Sequence, residues 1–270
     1  MLNIVVCVKA VPDPSIADKL KIDPVTKSLP RLDIPLVINL LDSHALEAAL
    51  QLKMKQLKMK YEAHITVLCM GPPLAGNVVR ECLALGADKG ILLTDRAFAG
   101  ADAFATAYTL AKAIEMNGPV DVVFCGMASS DGATEWVGPE IATFLNMPVV
   151  TMVREIVEDQ GDEWIVKADY EHGYRKVKLK LPAVLTVTRN LNQPKPLSFS
   201  GILKARSKEI TEWDHEALGI PAESVGLKGS PTIVTEMSNL ESRREVEMLE
   251  GTLEEKVERL VQILSDAGVV

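Results

Sequence analysis

Val120-Asp121-Val122-Val123-Phe124-Cys125 leads straight into Gly126-Met127-Ala128-Ser129-Ser130-Asp131-Gly132-Ala133-Thr134 and then into a helical pattern that ends at Leu145. An apolar, β-branched run of this kind suits a strand covered on both faces, as in a parallel sheet wrapped by helices. The glycines and hydroxyls after it make a loop, and the loop opens a helix. Working outward, the same unit recurs: Ile4 to Val8, Ile65 to Met70, Gly90 to Thr94 and Val149 to Met152 read as further strands. Between them, one helix is expected to begin near Asp42 or Ser43, either of which could cap it, and to run through Leu46, Ala49, Leu50 and Leu57. A second covers Leu74 to Leu85 and stops at Gly86, a residue suited to a left-handed cap; Asp102 to Met116 and Thr134 to Leu145 follow. This alternation from Leu2 to Thr151 predicts an α/β fold with a Rossmann-like parallel sheet.

Beyond Thr151 the pattern changes. Val153 to Val157, Trp164 to Lys167 and Lys176 to Leu181, separated by Gly161 and Gly173, read as antiparallel strands, and Pro182 to Val187 rejoins the main sheet as its last strand. Residues 1–189 are therefore expected to form one α/β domain with an antiparallel insert at about 153–181. Asn190 to Ser200, rich in proline and polar residues, reads as an extended arm, and Ser207 to Gly251 as a connector draped over a surface, so 190–251 is taken as arm plus connector. In 252–270, Leu253, Val257, Leu260, Val261 and Leu264 form an apolar stripe opposite Glu254, Glu255, Lys256 and Arg259, predicting a C-terminal helix that Gly268 ends.

The chain has 270 residues, 47% of them hydrophobic, enough for a substantial core, and its net charge of -8 argues against broad binding to nucleic acid or an anionic membrane. The apolar run at the amino terminus is too short for a signal segment and no run approaches a membrane span, so a cytoplasmic protein without membrane insertion is expected. Cys7, Cys69, Cys82 and Cys125 stand singly, as buried thiols of a reducing compartment do. With the histidines (His44, His64, His172, His215) equally scattered, no metal site is expected.

Parallel sheets bind ligands at the carboxyl ends of their strands. There the loop after Cys125 is the most informative. Gly126 and Gly132 let backbone approach a ligand, and Ser129, Ser130 and Thr134 offer hydroxyls ahead of a helix, which together make a phosphate cradle; the alternative is an ordinary loop with Ser and Thr as caps. Neither a GxGxxG run nor a Walker lysine is present, and no histidine accompanies the serines as a base would, which disfavours a conventional dinucleotide fold, a P-loop enzyme and a hydrolase.

In order along the chain, Cys7-Val8-Lys9-Ala10-Val11-Pro12-Asp13, Asn39-Leu40-Leu41-Asp42 with Ala45-Leu46-Glu47, Met70-Gly71-Pro72, Leu85-Gly86-Ala87-Asp88, Leu181-Pro182-Ala183-Val184, Leu191-Asn192-Gln193-Pro194 and Leu203-Lys204-Ala205-Arg206 resemble motifs of the electron-transfer flavoprotein β-subunit family. Val79 to Asp88, Thr94 to Asp102 with Thr106, and Val137-Gly138-Pro139-Glu140-Ile141-Ala142 look like its electron-bifurcating branch, whose β subunit holds FAD where plain carriers keep AMP. Three places depart from the family: Leu40-Leu41, Gly126-Met127-Ala128-Ser129 in the phosphate loop, and Glu171-His172-Gly173.

The resemblance implies an adenine-nucleotide alpha-hydrolase-like core and a set of cofactor contacts. Ala10, Asn39 and Asp42 would lie near the adenosine with Met70 and Gly71 beside it; Gly126, Ser129, Ser130, Asp131, Gly132 and Thr134 would surround the phosphates; Asp102 and Thr106 would serve the flavin side. Arg96 is a candidate for the NAD or flavin side, with an exposed ion pair as the alternative. Leu191, Asn192 and Pro194 would belong to a recognition loop for a partner dehydrogenase, on an arm that helps clasp the larger α subunit. The implied function is hydride exchange with NAD at FAD, one electron passing through the α subunit's FAD to or from a flavin dehydrogenase (for acyl-CoA, or a 2-hydroxy acid such as lactate) and the other to or from ferredoxin. A carrier with structural AMP and an adenine-nucleotide-binding hydrolase or stress protein are the alternatives.

Overall fold

The computed structural model describes residues 1–15, 35–235 and 246–269, which fall into two units, Met1–Thr235 and Glu236–Val270. In the first, β1 (Leu2–Val8) and a short β2 (Ala10–Pro12) precede β3 (Leu36–Ile38), α1 (Leu40–Lys58), β4 (Ala63–Met70), α2 (Gly76–Leu85), β5 (Lys89–Leu93), α3 (Ala103–Asn117), β6 (Val122–Gly126) and α4 (Val137–Phe144). Then come β7 (Val149–Gln160), β8 (Glu163–Tyr170), β9 (Gly173–Lys180), β10 (Ala183–Val187), α5 (Phe199–Arg206), β11 (Ile210–Trp213) and α6 (Gly226–Gly229).

Among the described residues the main sheet has the order β11-β5-β4-β1-β6-β10-β7-β8-β9, parallel from β11 to β7 and antiparallel from there to β9. The expected α/β fold with a parallel sheet and antiparallel insert is the one observed. One face packs on α1 and α2 through Ile4, Val6, Leu46, Val79 and Leu83; the other packs on α3 and α4 through Val5, Leu110, Ile114 and Ile141. Each such side chain, withdrawn from water, contributes about 1.5–3 kcal/mol. From β1 the chain moves by α1 to β4 and by α2 to β5; from there α3 carries it back to β6, on the other side of β1. The carboxyl ends of β1 and β6 thus flank a point where the strand order reverses.

Four local readings are corrected. Helix α1 starts at Leu40, not at Asp42 or Ser43: Asp42 is buried inside its first turn, and the Ser43 hydroxyl bonds back to the Leu40 carbonyl (2.6 Å). Helix α4 starts at Val137 rather than Thr134, because Ala133 (φ 45°) and Glu135 (φ 62°) have left-handed backbone no helix can continue. Strand β7 does not end at Met152. That residue sits at φ 58°, its amide bonded to Thr186 Oγ1 (3.1 Å), and the irregularity lets one strand run from a parallel neighbour, β10, to an antiparallel one, β8. Strand β10 is not the last to enter the sheet, since Ile210-Thr211-Glu212-Trp213, inside the expected connector, pairs with β5 as the far edge. Gly86 closes α2 at φ 130°, as its sequence position suggests, and the Asp102 carboxylate caps α3, which begins at Ala103, by accepting from Ala105 N (3.0 Å).

The arm is clipped to its own chain where it begins. Asn192 Nδ2 donates to the His44 carbonyl (2.9 Å), its Oδ1 meets His44 Nδ1 (3.1 Å), the Lys195 amide reaches Glu47 (3.4 Å), and Leu191 packs on the core. Phe199, Ile202 and Leu203 further on stay exposed. Asn192→Ala is expected to detach residues 191–197 from α1 at a cost of about 1–2 kcal/mol, visible as faster hydrogen exchange at Lys195 while the β1 and β6 amides keep their protection. In the second unit, α7 (Leu253–Asp266) begins with a reciprocal cap between Thr252 and Glu255, and Leu253, Val257, Leu260 and Val261 are exposed.

Candidate functional site

At the reversal of strand order, three side chains tie the ends of β1 and β6 together. Asp42, reaching in from α1, accepts the Lys9 amide on Oδ2 (2.7 Å) and the Gly126 amide on Oδ1 (3.0 Å). A Cβ on Gly126 would lie 2.4 Å from Asp42 Oδ1 and 2.8 Å from Leu41, so this carboxylate can approach only a glycine. Asn39 spans the same gap, its amide donating to the Ala128 carbonyl (2.9 Å) and its oxygen accepting from Ser130 N (3.1 Å). Lys9 Nζ crosses from β1 to Asp131 (2.6 Å) and Ser129 Oγ (3.3 Å), and Ser129 Oγ also accepts from Gly132 N (3.3 Å).

The loop so held, 126–136, has the donors a diphosphate needs. The amides of Ser129 and Thr134 and the hydroxyls of Ser130 and Thr134 bond to nothing among the described residues, the Lys9 ammonium lies against Ser129 and Asp131, and α4 begins directly after the loop at Val137. Asn39, Asp42, Gly126, Ser129, Ser130, Asp131 and Gly132 are thus linked in one network, with Thr134 on the same loop. Ala10, buried in β2, follows Lys9 directly. Met70 ends β4 two strands from β6, and Gly71 donates to the Leu93 carbonyl (3.0 Å).

Burial pushes the Asp42 carboxyl up to about 7, against the lowering pull of the Lys9 and Gly126 amides. Burial also drives Cys69 to about 12 and Cys82 well up, while Cys125 is raised first by its hydrogen bond with Cys7 and then by burial; none of these three is a thiolate near neutral pH. Among the described residues no cluster of His, Cys, Asp and Glu could hold a metal ion, and no helix is long and apolar enough to cross a membrane.

The other candidates lie around the loop after β5. Asp102 does more than cap α3: its Oδ2 accepts from the Thr232 amide (2.9 Å) and hydroxyl (2.7 Å), and its own amide donates to Ser230 Oγ (2.8 Å). Partial burial opposes its ionisation, but the Ala105 amide and Thr232 outweigh it and hold the carboxyl below its usual range. Thr106 is half-buried one turn into α3. Arg96 is exposed, with no ion pair among the described residues. Leu191, Asn192 and Pro194 follow α1 on the arm, with Pro194 beside Glu47 and Leu197.

Sequence reasoning passed over two features. Asp95 binds His215 through Nδ1 (2.5 Å) and the backbone amide (3.2 Å), fastening the loop after β5 to the end of β11; with 120 residues between the partners, no local pattern signals it. Glu140 was legible only as part of a motif. Its Oε2 is buried with no hydrogen-bond partner, and burial first, then the Asp102 carboxylate, raise its pKa.

Residues 30–218 match the electron transfer flavoprotein domain. The chain is 43% identical over 270 residues to electron transfer flavoprotein subunit beta of Thermoanaerobacterium thermosaccharolyticum, with both chains wholly covered. It is 41% identical over 271 residues to subunit CarD of the caffeyl-CoA reductase-Etf complex of Acetobacterium woodii, and 37% identical over 276 residues to acryloyl-CoA reductase electron transfer subunit gamma of Anaerotignum propionicum, again with both chains wholly covered. A match over residues 30–218, in a chain that shares its full length with such relatives, places this protein in the electron-transfer flavoprotein family as a β subunit.

Proposed function

We propose that this chain is the NAD-linked subunit of a bifurcating electron-transfer flavoprotein in the cytoplasm, binding FAD over the carboxyl ends of β1 and β6. The observation that carries the reading is the loop 126–136, pinned by Asp42, Asn39 and Lys9 with amides and hydroxyls left to receive phosphate oxygens. FAD bound there would supply hydride exchange with NAD(H) and the division of two electrons between the α subunit's FAD and a ferredoxin. The chain's own residues bind and orient. Ser129, Ser130 and Thr134 receive the phosphates; Asn39 and Asp42 fix the loop that presents them. Relatives named for caffeyl-CoA and acryloyl-CoA reductases support a partner dehydrogenase of the acyl-CoA class over one for a 2-hydroxy acid such as lactate.

A structural AMP is the second reading, because the same amides would hold a single phosphate. A hydrolase or stress protein is disfavoured by family and by chemistry: His44 and His215 are engaged by Asn192 and Asp95, and Ser129 Oγ is held by Lys9 and Gly132. The heterodimer, co-expressed with its α subunit and denatured to release cofactors, should yield two FAD and no AMP, and NADH should bleach its flavin absorbance without oxygen. One FAD with one AMP per heterodimer overturns the reading.

A further inference from the structure

The loop after β5, residues 94–102, is fastened at both ends to the stretch of chain that follows β11, and each fastening is an aspartate. At the near end Asp95 accepts from the Ala97 amide on Oδ1 (3.0 Å) and from His215 on Oδ2, through Nδ1 (2.5 Å) and the backbone amide (3.2 Å). At the far end Asp102 Oδ2 accepts from the Thr232 amide (2.9 Å) and hydroxyl (2.7 Å). The turn that receives Asp95 is firm: the Ile220 amide donates to the His215 carbonyl (3.0 Å), the Ala217 amide to Asp214 (2.7 Å), and the Ile220 side chain is buried in the same core as Phe98. One difference separates the two clasps. The Thr232 donors keep their protons throughout the neutral range, whereas the His215 imidazole can give one up.

We propose that the Asp95–His215 bond is a pH-sensitive clasp, which holds the β5 loop tightest while His215 carries its extra proton and slackens that one end of the loop once the proton is gone. The charged groups around the imidazole agree in sign. Facing it are Asp95 from the loop and Asp214 and Glu216 from its own turn, all acids. Arg96, next to Asp95, is exposed, and Lys89 of β5 lies over the Trp213 ring (5.7 Å) with its ammonium bonded to Asn117 (2.8 Å). The hydrogen bond from Asp95 raises the His215 pKa, with desolvation opposing it and the charges of the three acids adding to it. Burial works against ionisation of Asp95, but the bonds from His215 and Ala97 outweigh it and hold that carboxyl at about 2, so near neutrality His215 is the partner that titrates. A group whose pKa is raised by folding contributes fully below its ordinary value and loses the contribution as pH rises through the folded one. The neutral imidazole can still donate from Nδ1, so the clasp weakens without parting. The loop carries Arg96 and Asp102, and the inference does not depend on which nucleotide the crevice takes.

The test is hydrogen exchange on the full chain assembled with its α subunit, corrected for the intrinsic pH dependence of exchange, at about pH 6 and about pH 9, on either side of the imidazole's titration. Two amides report: Ala97, bonded to Asp95, and Ala105, bonded to Asp102. Since a hydrogen bond between charged groups is about twice as strong as a neutral one, Ala97 should lose protection about fivefold between the two pH values, while Ala105 stays constant. His215→Asn keeps a neutral donor and should give the lower Ala97 protection at both pH values. The inference is overturned if Ala97 is equally protected at both in the wild type, or if His215→Asn retains the pH response, which would assign it to another group. It is equally overturned if Ala105 loses protection in step with Ala97, since that reports loosening of the whole domain.

Discussion

Replacing Asp42 with alanine is expected to strip the nucleotide from the protein and to lower its stability by about 3 kcal/mol. Two backbone amides, those of Lys9 and Gly126, would lose their acceptor inside the fold, and each buried donor left unsatisfied costs about 1–3 kcal/mol. The amides belong to the ends of two strands that meet only at the strand reversal, so the loop carrying Ser129 and Ser130 would lose its position with them. The effect depends on pH with a definite sign. Because burial raises the folded carboxyl to about 7, Asp42 contributes most below its ordinary pKa and loses that contribution as pH rises through about 7. Chemical denaturation at pH 5 and pH 8 should therefore show a larger difference between wild type and Asp42→Ala at pH 5. A penalty that grows with pH would contradict this account, as would full nucleotide retention.

Gly226→Ala should have the second largest effect, at a site far along the chain from the first. Gly226 has φ 56°, and a Cβ there would lie 1.9 Å from the Ala97 carbonyl and 2.9 Å from that of Ala99. Left-handed backbone costs a residue with a side chain about 1–2 kcal/mol, and relieving so close an approach costs about 1–3 kcal/mol more. The segment would lift from the loop after β5, breaking the Leu227 amide bond to the Ala99 carbonyl (2.9 Å) and the bonds of Ser230 and Thr232 with Asp102. Limited proteolysis should then cut within 225–235, and the Asp102 amide should exchange faster with solvent. If the loop carries the NAD or flavin side, NADH should bleach the flavin more slowly, while the Asp42 network stays protected. Unchanged proteolysis would mean that this docking does not hold the loop.

The sequence by itself determined the class of fold and the place to look. Hydrophobic runs such as Ile4 to Val8 and Val122 to Cys125 read as strands because their burial on both faces leaves no polar alternation, and Gly86 announced its helix end through chemistry confined to one turn. The cluster of glycine and hydroxyl residues after β6 was legible for the same reason: it lies within one loop. Tertiary structure alone decided what Asp42 does. Its position at the head of a helix suggests a cap, yet it binds amides 33 and 84 residues away, a role that exists only once β1 and β6 are neighbours. The same holds for β11, too short and polar to stand out until it lies against β5, for the bond between Asn192 and His44, and for the orphaned oxygen of Glu140. Periodicity and capping act over a few residues and are written in order along the chain. Which buried groups are left to satisfy one another depends on the order of strands in the sheet, and that order forms only when the chain closes on itself.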